Sequence, residues 1–346
     1  MIDRRQLLGS LLSASVLAPL GASLGRPPHA LAAASSVPAP VPAPDSVRHI
    51  LLDTDIGSDI DDAVALAWLL RQPRCNLLGI TTVTGEAHGR ARLASALCRA
   101  AGRSVPIHPG AEVPLVIESM QKTAPALARL RGPEERFASG EAIEFMRRTI
   151  RAHPHQVTLL AVGPLTNVAL LFRADPEIPA LLRELVIMGG KYSDYPTPWG
   201  PTEWNAIVDP HAAQIVFASD VPALTAFGLD VTWQVGMTPE EVTRHFRGAS
   251  ADGPDPLLEI VLDWSEVWFA ERDMLHFNDP LAAAAIFEPG LCTYKHGRIA
   301  VDLGDSPTRG VTSFTADAAS PQRFAATVRP AAFFDAYLGV FRAGRT

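Results

Sequence analysis

The chain has 346 residues, 47% of them hydrophobic and 19% charged, with a formal net charge of −7. That is ample for a globular core in one large or two small domains, and nothing in it resembles the basic face that nucleic-acid binding needs. The three cysteines, Cys75, Cys98 and Cys292, are widely spaced; they make neither a disulfide framework nor a zinc pattern and read as small buried hydrophobes.

Residues 1–34 read as a targeting segment. Arg4-Arg5 precede the apolar stretch LLGSLLSASVLAPLGASL, and the run closes on Ala30-Leu31-Ala32-Ala33. A charged start, an apolar centre and an A-x-A-like site make a secretory signal. The arginine pair followed by Gln6-Leu7-Leu8 is similar to the twin-arginine type. Gly9, Pro19, Gly21 and Gly25 argue against a stable membrane anchor. The expectation is an exported protein, periplasmic or secreted, with no membrane association after processing. Residues 35–47, SSVPAPVPAPDSV, read as a Pro/Ala linker of extended polyproline character. The folded domain is expected over residues 48–346.

From residue 48 the pattern alternates. Short apolar runs predict strands at Ile50–Asp53, Leu77–Val83, Val157–Val162, Leu185–Met188 and Ala223–Phe227. Helical patterns fall between them at Asp61–Arg71, Ala87–Ala101, Gly140–Ala152, Leu165–Phe172 and Asp209–Ala218. Nearly all-apolar strands separated by helices predict an α/β fold: one open, mostly parallel sheet with helices on both faces. After residue 230 the pattern becomes mainly helical, at Thr238–His245, Pro256–Met274 and Asp279–Phe287. In such sheets ligands bind beyond the carboxyl ends of the strands. The loops there carry Thr84-Gly85-Glu86, Gly163-Pro164-Leu165 and Gly189-Gly190.

The loop after the first strand is the most informative. HILLDTDIGSDIDDAVALAWLL places five aspartates, Asp53, Asp55, Asp59, Asp61 and Asp62, within ten positions around Gly57. Carboxylates so close repel one another, and a hard cation such as Ca²⁺ or Mg²⁺ makes the cluster tolerable. A solvated acidic turn, with Asp61 or Asp62 favouring a helix N-terminus, accounts for one aspartate better than for five. An EF-hand is the wrong comparison: a strand precedes the loop, and Val64 stands at the twelfth position, where that motif needs Glu. Asp279, in HFNDPL, precedes a proline at a helix start and on its own reads equally well as a helix cap.

With these pieces placed, the chain resembles the inosine-uridine preferring nucleoside hydrolase family over about residues 48–345. DTDIGSDIDDAVAL is similar to that family's D-x-D-x-G-x-D-D-A signature, with two extra residues before the paired aspartates. GITTVTG (79–85), AVGPLTNVAL (161–170), the run from VIMGG (186–190) to EWNAIVDPHAA (203–213), and NDPLAAA (278–284) follow in the family's order. The resemblance implies a Rossmann-like core, a nucleoside as small-molecule substrate, Ca²⁺ as cofactor, and homodimers or homotetramers. It implies that Asp55 and Asp62 ligate the ion with Asp279 and the backbone carbonyl of Val162. Asp53 and Asp61 would organise the loop and the sugar hydroxyls, and Glu203 and Asn205, with Trp204 between them, would bind the sugar. Asp55 would be the general base on a water. The chemistry is coherent apart from the family name. Cleaving an N-glycosidic bond develops positive charge on the sugar, nearby carboxylates favour that charge, and a hard cation orients a diol and acidifies a water.

Three positions depart from the family pattern. Glu86 stands where Asn is usual, and could hold a sugar hydroxyl. Thr197 stands where an Asn precedes the sugar-binding Glu, in the loop YPTPWGPTEW. Asn278 stands where a His often precedes the metal-binding Asp, and the nearest histidine is His276. Leaving-group activation therefore falls to His276 or to stacking of the base on Trp199, Trp204 or Trp233; ordinary packing is the competing reading for each. A haloacid-dehalogenase-like start is disfavoured by Gly57 and leaves EWN and NDPL unexplained. Two other readings stay open: an exported Ca²⁺-dependent riboside- or sugar-binding protein without turnover, and a hydrolase of another glycoside.

Overall fold

A computed structural model describes residues 46–132, 134–250, 253–305 and 307–342. The expected targeting segment lies outside the described residues, as does all of the expected linker except Ser46 and Val47.

The chain order is β1 (Arg48–Thr54), α1 (Asp61–Arg71), β2 (Cys75–Thr82), α2 (Ala87–Ala100), β3 (Ile107–Pro109), α3 (Ala142–Ala152), β4 (Val157–Ala161), α4 (Thr166–Ala174), α5 (Ile178–Leu181) and β5 (Glu184–Met188). It continues with α6 (Trp204–Val208), α7 (Pro210–Phe217), β6 (Leu224–Phe227), α8 (Leu229–Thr232), β7 (Gly236–Met237), α9 (Pro239–Arg247), α10 (Pro256–Phe269), β8 (Leu275–His276) and α11 (Asn278–Phe287). Three strands, β9 (Cys292–Val301), β10 (Thr312–Ala316) and β11 (Gln322–Val328), and α12 (Pro330–Arg342) complete it.

Nine strands form one sheet in the order β10-β9-β11-β6-β5-β4-β1-β2-β3. The pairings from β3 across to β11 are all parallel, whereas β9 runs antiparallel to both β11 and β10. Successive strand residues point to opposite faces, so the apolar run of β1 feeds two cores. Ile50 and Leu52 pack with α1, α2, α10, α11 and α12, and Leu51 packs with α3, α4 and α7. Burial on both faces is why β1 reads as a continuous apolar run rather than an alternating one.

The centre of the sheet positions the site. The chain leaves β1 for β2 and β3 on one side, then returns to β4 on the other, so β1 pairs with both β2 and β4. Connections diverge at the carboxyl ends of β1 and β4, and a crevice opens at such a switch point. Asp55 lies just past one strand end and Val162 just past the other.

The predicted parallel strands and their helices are all present within a few residues. The C-terminal part is mainly helical through Phe287, with the short strands β7 and β8 between its helices, and the sequence reading missed these two, the short β3, and β9, β10 and β11. In β9 only Cys292, Gly297, Ile299 and Val301 are buried, Tyr294 is half-buried and the rest are exposed, a pattern too irregular to announce a strand. Cys75, Cys98 and Cys292 are buried and free. Among the described residues no helix is long and apolar enough to cross a membrane.

Candidate functional site

The aspartate loop is held from below by groups the sequence reading did not single out. Arg90, on α2, is fully buried. Its guanidinium donates to the backbone carbonyls of Asp55, of Ile56 (3.2 Å), of Gly85 (2.8 Å) and of Thr123 (3.1 Å). It bonds backbone rather than carboxylate, so it fixes the loop's path while placing positive charge beneath it. Gly57 makes the turn at φ +104, a conformation that side-chain-bearing residues rarely adopt.

Each carboxylate has a defined place. Asp53 Oδ1 accepts from Thr81 Oγ1 at 2.5 Å and from Asn167 Nδ2 at 2.7 Å. Asp55 Oδ2 accepts from Gln121 Nε2 at 2.5 Å. Its Oδ1 lies where a Cβ on Gly163 would come within 2.8 Å, so only glycine lets the β4–α4 loop approach this closely. Asp62 Oδ1 accepts from Thr54 Oγ1. Asp61 Oδ2 accepts from Asn278 Nδ2 at 2.9 Å and from the backbone N–H of Asp279 at 3.3 Å.

Asp61 and Asp62 sit in the first turn of α1, and Asp279 sits in the first turn of α11. Helix N-termini favour anionic side chains. Two such ends converge here: oxygens of Asp61, Asp62 and Asp279, all buried, lie within 4.8 Å of one another. Burial, then repulsion from Asp55 and Asp61, holds the Asp62 carboxyl well above its usual range. Burial and repulsion from Asp61, Asp62 and Asp55 do the same to Asp279. Burial also raises Asp61 to about 6 and Asp53 to about 7.

The donor set fits a hard cation. It is all oxygen and anionic when ionised, and the strain of ionising it is what a divalent ion relieves. Two further atoms support the fit: Asp53 Oδ2 and Asn278 Oδ1 are buried without a hydrogen-bond partner, and buried polar oxygens are rarely left so. Of the ligands implied by resemblance, Asp62 and Asp279 belong to the convergent group, joined by Asp61. Asp55 interacts electrostatically with all three but is tied to Gln121.

The sugar-binding candidates lie across the crevice. Glu203 is the N-cap of α6, and its carboxylate accepts from the backbone N–H groups of Asn205 (2.8 Å), Ala206 (3.0 Å) and Gly190 (2.9 Å). Burial nevertheless raises it to about 7. Asn205 Nδ2 donates to the carbonyls of Val162 (2.9 Å) and Met188 (3.2 Å), bridging the ends of β4 and β5. Trp204 is 43% exposed at the rim, and its indole N–H donates to Gln121 Oε1.

The remaining candidates fall into two groups. Trp233 stacks on His276 with ring centroids 3.6 Å apart and 14° between planes, and Trp199 meets Trp233 edge-on at 4.9 Å. Burial lowers His276 to about 4, so its ring is neutral near pH 7. Glu86 and Thr197 are engaged elsewhere. The Glu86 carboxylate accepts from the backbone N–H of Ala124 at 2.6 Å, and the Thr197 hydroxyl closes a turn onto the carbonyl of Gly200 at 3.1 Å.

Known proteins similar to this chain point to one family. The sequence model of the inosine-uridine preferring nucleoside hydrolase family matches residues 50–335. The chain is 33% identical over 284 residues to the pyrimidine-specific ribonucleoside hydrolase RihA of Citrobacter koseri, covering 76% of this chain and 86% of that one. It is 29% identical over 268 residues to uridine nucleosidase 1 of Arabidopsis thaliana, covering 74% and 78%. Among solved structures, a purine-preferring ribonucleoside hydrolase from Gardnerella vaginalis superposes with a TM-score of 0.72 at 24% identity, covering 86% of this chain and 100% of that one. That match speaks for the fold alone, an open, mostly parallel sheet with helices. The family match spans nearly all of the described domain and includes every loop that meets at the crevice, and the chain belongs to the inosine-uridine preferring nucleoside hydrolase family.

Proposed function

We propose that this N-glycosyl hydrolase of ribonucleosides works around a bound Ca²⁺, with Asp55 as the base that takes the proton of the attacking water. The observation that carries the reading is the buried convergence of Asp61, Asp62 and Asp279 beside Asp55. Asp55, Asp62, Asp279 and the Val162 carbonyl would hold the ion, with Asp61 adjoining. When bound, the ion supplies fixed positive charge that orients a sugar diol and lowers the pKa of a nearby water.

The chain's own residues do the rest. Asp55 takes the water's proton onto its own carboxylate, whose orientation is already set. Asp53 and Asp61 oppose the positive charge that grows on the sugar. Glu203 and Asn205, anchored on backbone groups, line the side where sugar hydroxyls would dock. The Trp199–Trp233–His276 group offers an aromatic wall for the base. Because His276 is neutral near pH 7, stacking rather than an imidazolium proton is what this wall contributes. The relatives named for pyrimidine ribosides and uridine make uridine and cytidine the first substrates to try. Residues 1–34 would direct export by the twin-arginine route, and the working form would be a homodimer or homotetramer.

The test is ribose release from uridine, cytidine, inosine and adenosine by the chain lacking residues 1–34, with and without chelator. Release that chelator abolishes, that Ca²⁺ restores, and that Asp55→Ala lowers by about 10²–10⁴-fold is the expected result. No release from any riboside, with a cation still bound, would overturn the hydrolytic reading.

A further inference from the structure

We propose that Gln121 is a positioning residue for the hydrolytic reaction: its carboxamide fixes the plane of the Asp55 carboxylate and ties it to Trp204 at the rim. The inference rests on the functional reading above. Gln121 Nε2 donates to Asp55 Oδ2 at 2.5 Å and to Ser58 Oγ at 2.6 Å, while Oε1 accepts from the Trp204 indole N–H. A primary amide has two N–H donors, and both are spent. The orientation is unambiguous. A flipped amide would set Oε1 against a carboxylate and Nε2 against an indole N–H, two repulsive contacts in place of two attractive ones. Oδ2 is held by Gln121, and Oδ1 lies against the backbone at Gly163 with no room for a side chain there, so the Asp55 carboxylate is confined on both oxygens.

The segment carrying Gln121 is itself pinned from several sides. Thr84 Oγ1 donates to the Gln121 carbonyl at 3.4 Å. Arg90 donates to the carbonyl of Thr123. The carboxylate of Glu86 receives the N–H of Ala124, and the carbonyl of Gly57 receives that of Ala126 at 3.1 Å. A Cβ on Gly85 would fall 2.5 Å from the Lys122 carbonyl oxygen, so the two backbones are in direct contact. Thr84 and Glu86 adopt φ of 64° and 61° on either side of that glycine. Such conformations persist in side-chain-bearing residues only where surrounding contacts over-determine them. Gln121 is 6% exposed, so its side chain is largely withdrawn from water. The β1–α1 loop, the segment after β3 and the start of α6 thus meet in one side chain.

The experiment uses Gln121→Met, which keeps the volume and removes the hydrogen bonds, and Gln121→Glu, which keeps an acceptor for Trp204 and repels Asp55. For Gln121→Met, kcat on uridine should fall about 10–100-fold, the loss expected of a misplaced catalytic group, with KM within about threefold. Subtracting the emission of Trp204→Phe isolates Trp204, and acrylamide should quench it more strongly in Gln121→Met than in the parent, with no cation or substrate added. For Gln121→Glu, kcat should fall while Trp204 quenching stays at the parental level. Parental kcat in Gln121→Glu, or unchanged Trp204 quenching in Gln121→Met, would overturn the proposal. If the parent protein releases no ribose, the functional reading fails; the Trp204 measurement still decides whether Gln121 makes the tie.

Discussion

The two sides of the crevice are built differently. The carboxylate side is made from strand and helix ends: Asp53 is next to last in β1, Asp61 and Asp62 open α1, and Asp279 is second in α11. The opposite side is made from loops and caps: Gln121 follows β3, Trp199 and Glu203 precede α6, and Trp233 follows α8. Side chains on the first side take their positions from regular backbone. Those on the second depend more on individual contacts, as in the Trp199–Trp233–His276 stack, the Gln121–Trp204 bond and the backbone N–H groups that hold Glu203. The first side should therefore govern ion binding and the chemical step, and the second should govern which base leaves and how fast.

The largest effect that tests this division is Asp279→Asn. It keeps the shape of the side chain, removes one charge from the convergent group and leaves the backbone N–H to Asp61 in place. Ca²⁺ affinity by calorimetry and kcat/KM on uridine should both fall, the latter by roughly 10³-fold, if the ion contributes the several kcal/mol expected of a Lewis acid. Loss of activity with unchanged ion binding would move Asp279 out of the ion-holding side.

Next comes the coupling between ion and pH. Asp53 and Glu203 are raised to about 7 and Asp61 to about 6, chiefly by burial. A carboxyl whose folded-state pKa is raised contributes stability that is present below its ordinary value near 4. That stability is lost as pH rises through the folded-state value. Without the ion the protein should thus lose stability between about pH 4 and 7. An ion that binds the ionised cluster should offset that loss where the carboxylates are charged. At a hundredfold excess over Kd the gain is about 2.7 kcal/mol, or on the order of 5 °C for a domain of this size. Melting curves at pH 5 and pH 8, with Ca²⁺ or with chelator, should show a large gain at pH 8 and little at pH 5. Equal gains at both would mean that the ion does not compete with protons at these aspartates.

The loop side yields a smaller number. An aromatic stack is worth about 0.5–1.5 kcal/mol beyond its buried area, so Trp233→Leu should slow uridine by roughly two- to tenfold. A p-nitrophenyl riboside, whose leaving group departs without help, should be slowed less. Equal losses on both substrates would assign Trp233 to packing and leave the base without an aromatic partner there.

The same division explains what the sequence made legible. The strand at Ile50–Asp53 and the helix at Asp61–Arg71 follow from local pattern, and so do the aspartates that lie at their ends. The partners of those aspartates do not. Asn167 reaches Asp53 across 114 positions, Gln121 reaches Asp55 across 66, and Arg90 reaches the Asp55 carbonyl across 35. Asn167 stands within the run AVGPLTNVAL and Arg90 within a helical pattern, but that each is fully buried is seen only in the structure. Gln121 lies in an irregular segment outside any such pattern. The strands β9 and β11 were hidden for a related reason: they owe their place to pairing with each other and with β6, not to an apolar run of their own.

Glu86 sits between the two sides and is the sharpest small test. By resemblance it occupies a position facing the sugar. In the structure its carboxylate is spent on the Ala124 N–H, and its backbone is left-handed at φ 61. A hydrogen bond donated by a backbone N–H to an exposed carboxylate is worth on the order of 1 kcal/mol. Glu86→Gln keeps an acceptor oxygen and should leave stability nearly unchanged, whereas Glu86→Ala frees the Ala124 N–H and loosens the segment that carries Gln121. If the residue serves the loop, Glu86→Ala should lower the melting temperature by a few degrees and cut kcat modestly through Gln121, with KM for uridine held. If it serves the sugar, both variants should raise KM and neither should move the melting temperature. The strain at residue 86 favours the first outcome, because a side chain that held only a substrate hydroxyl would give the empty protein no reason to keep its backbone there.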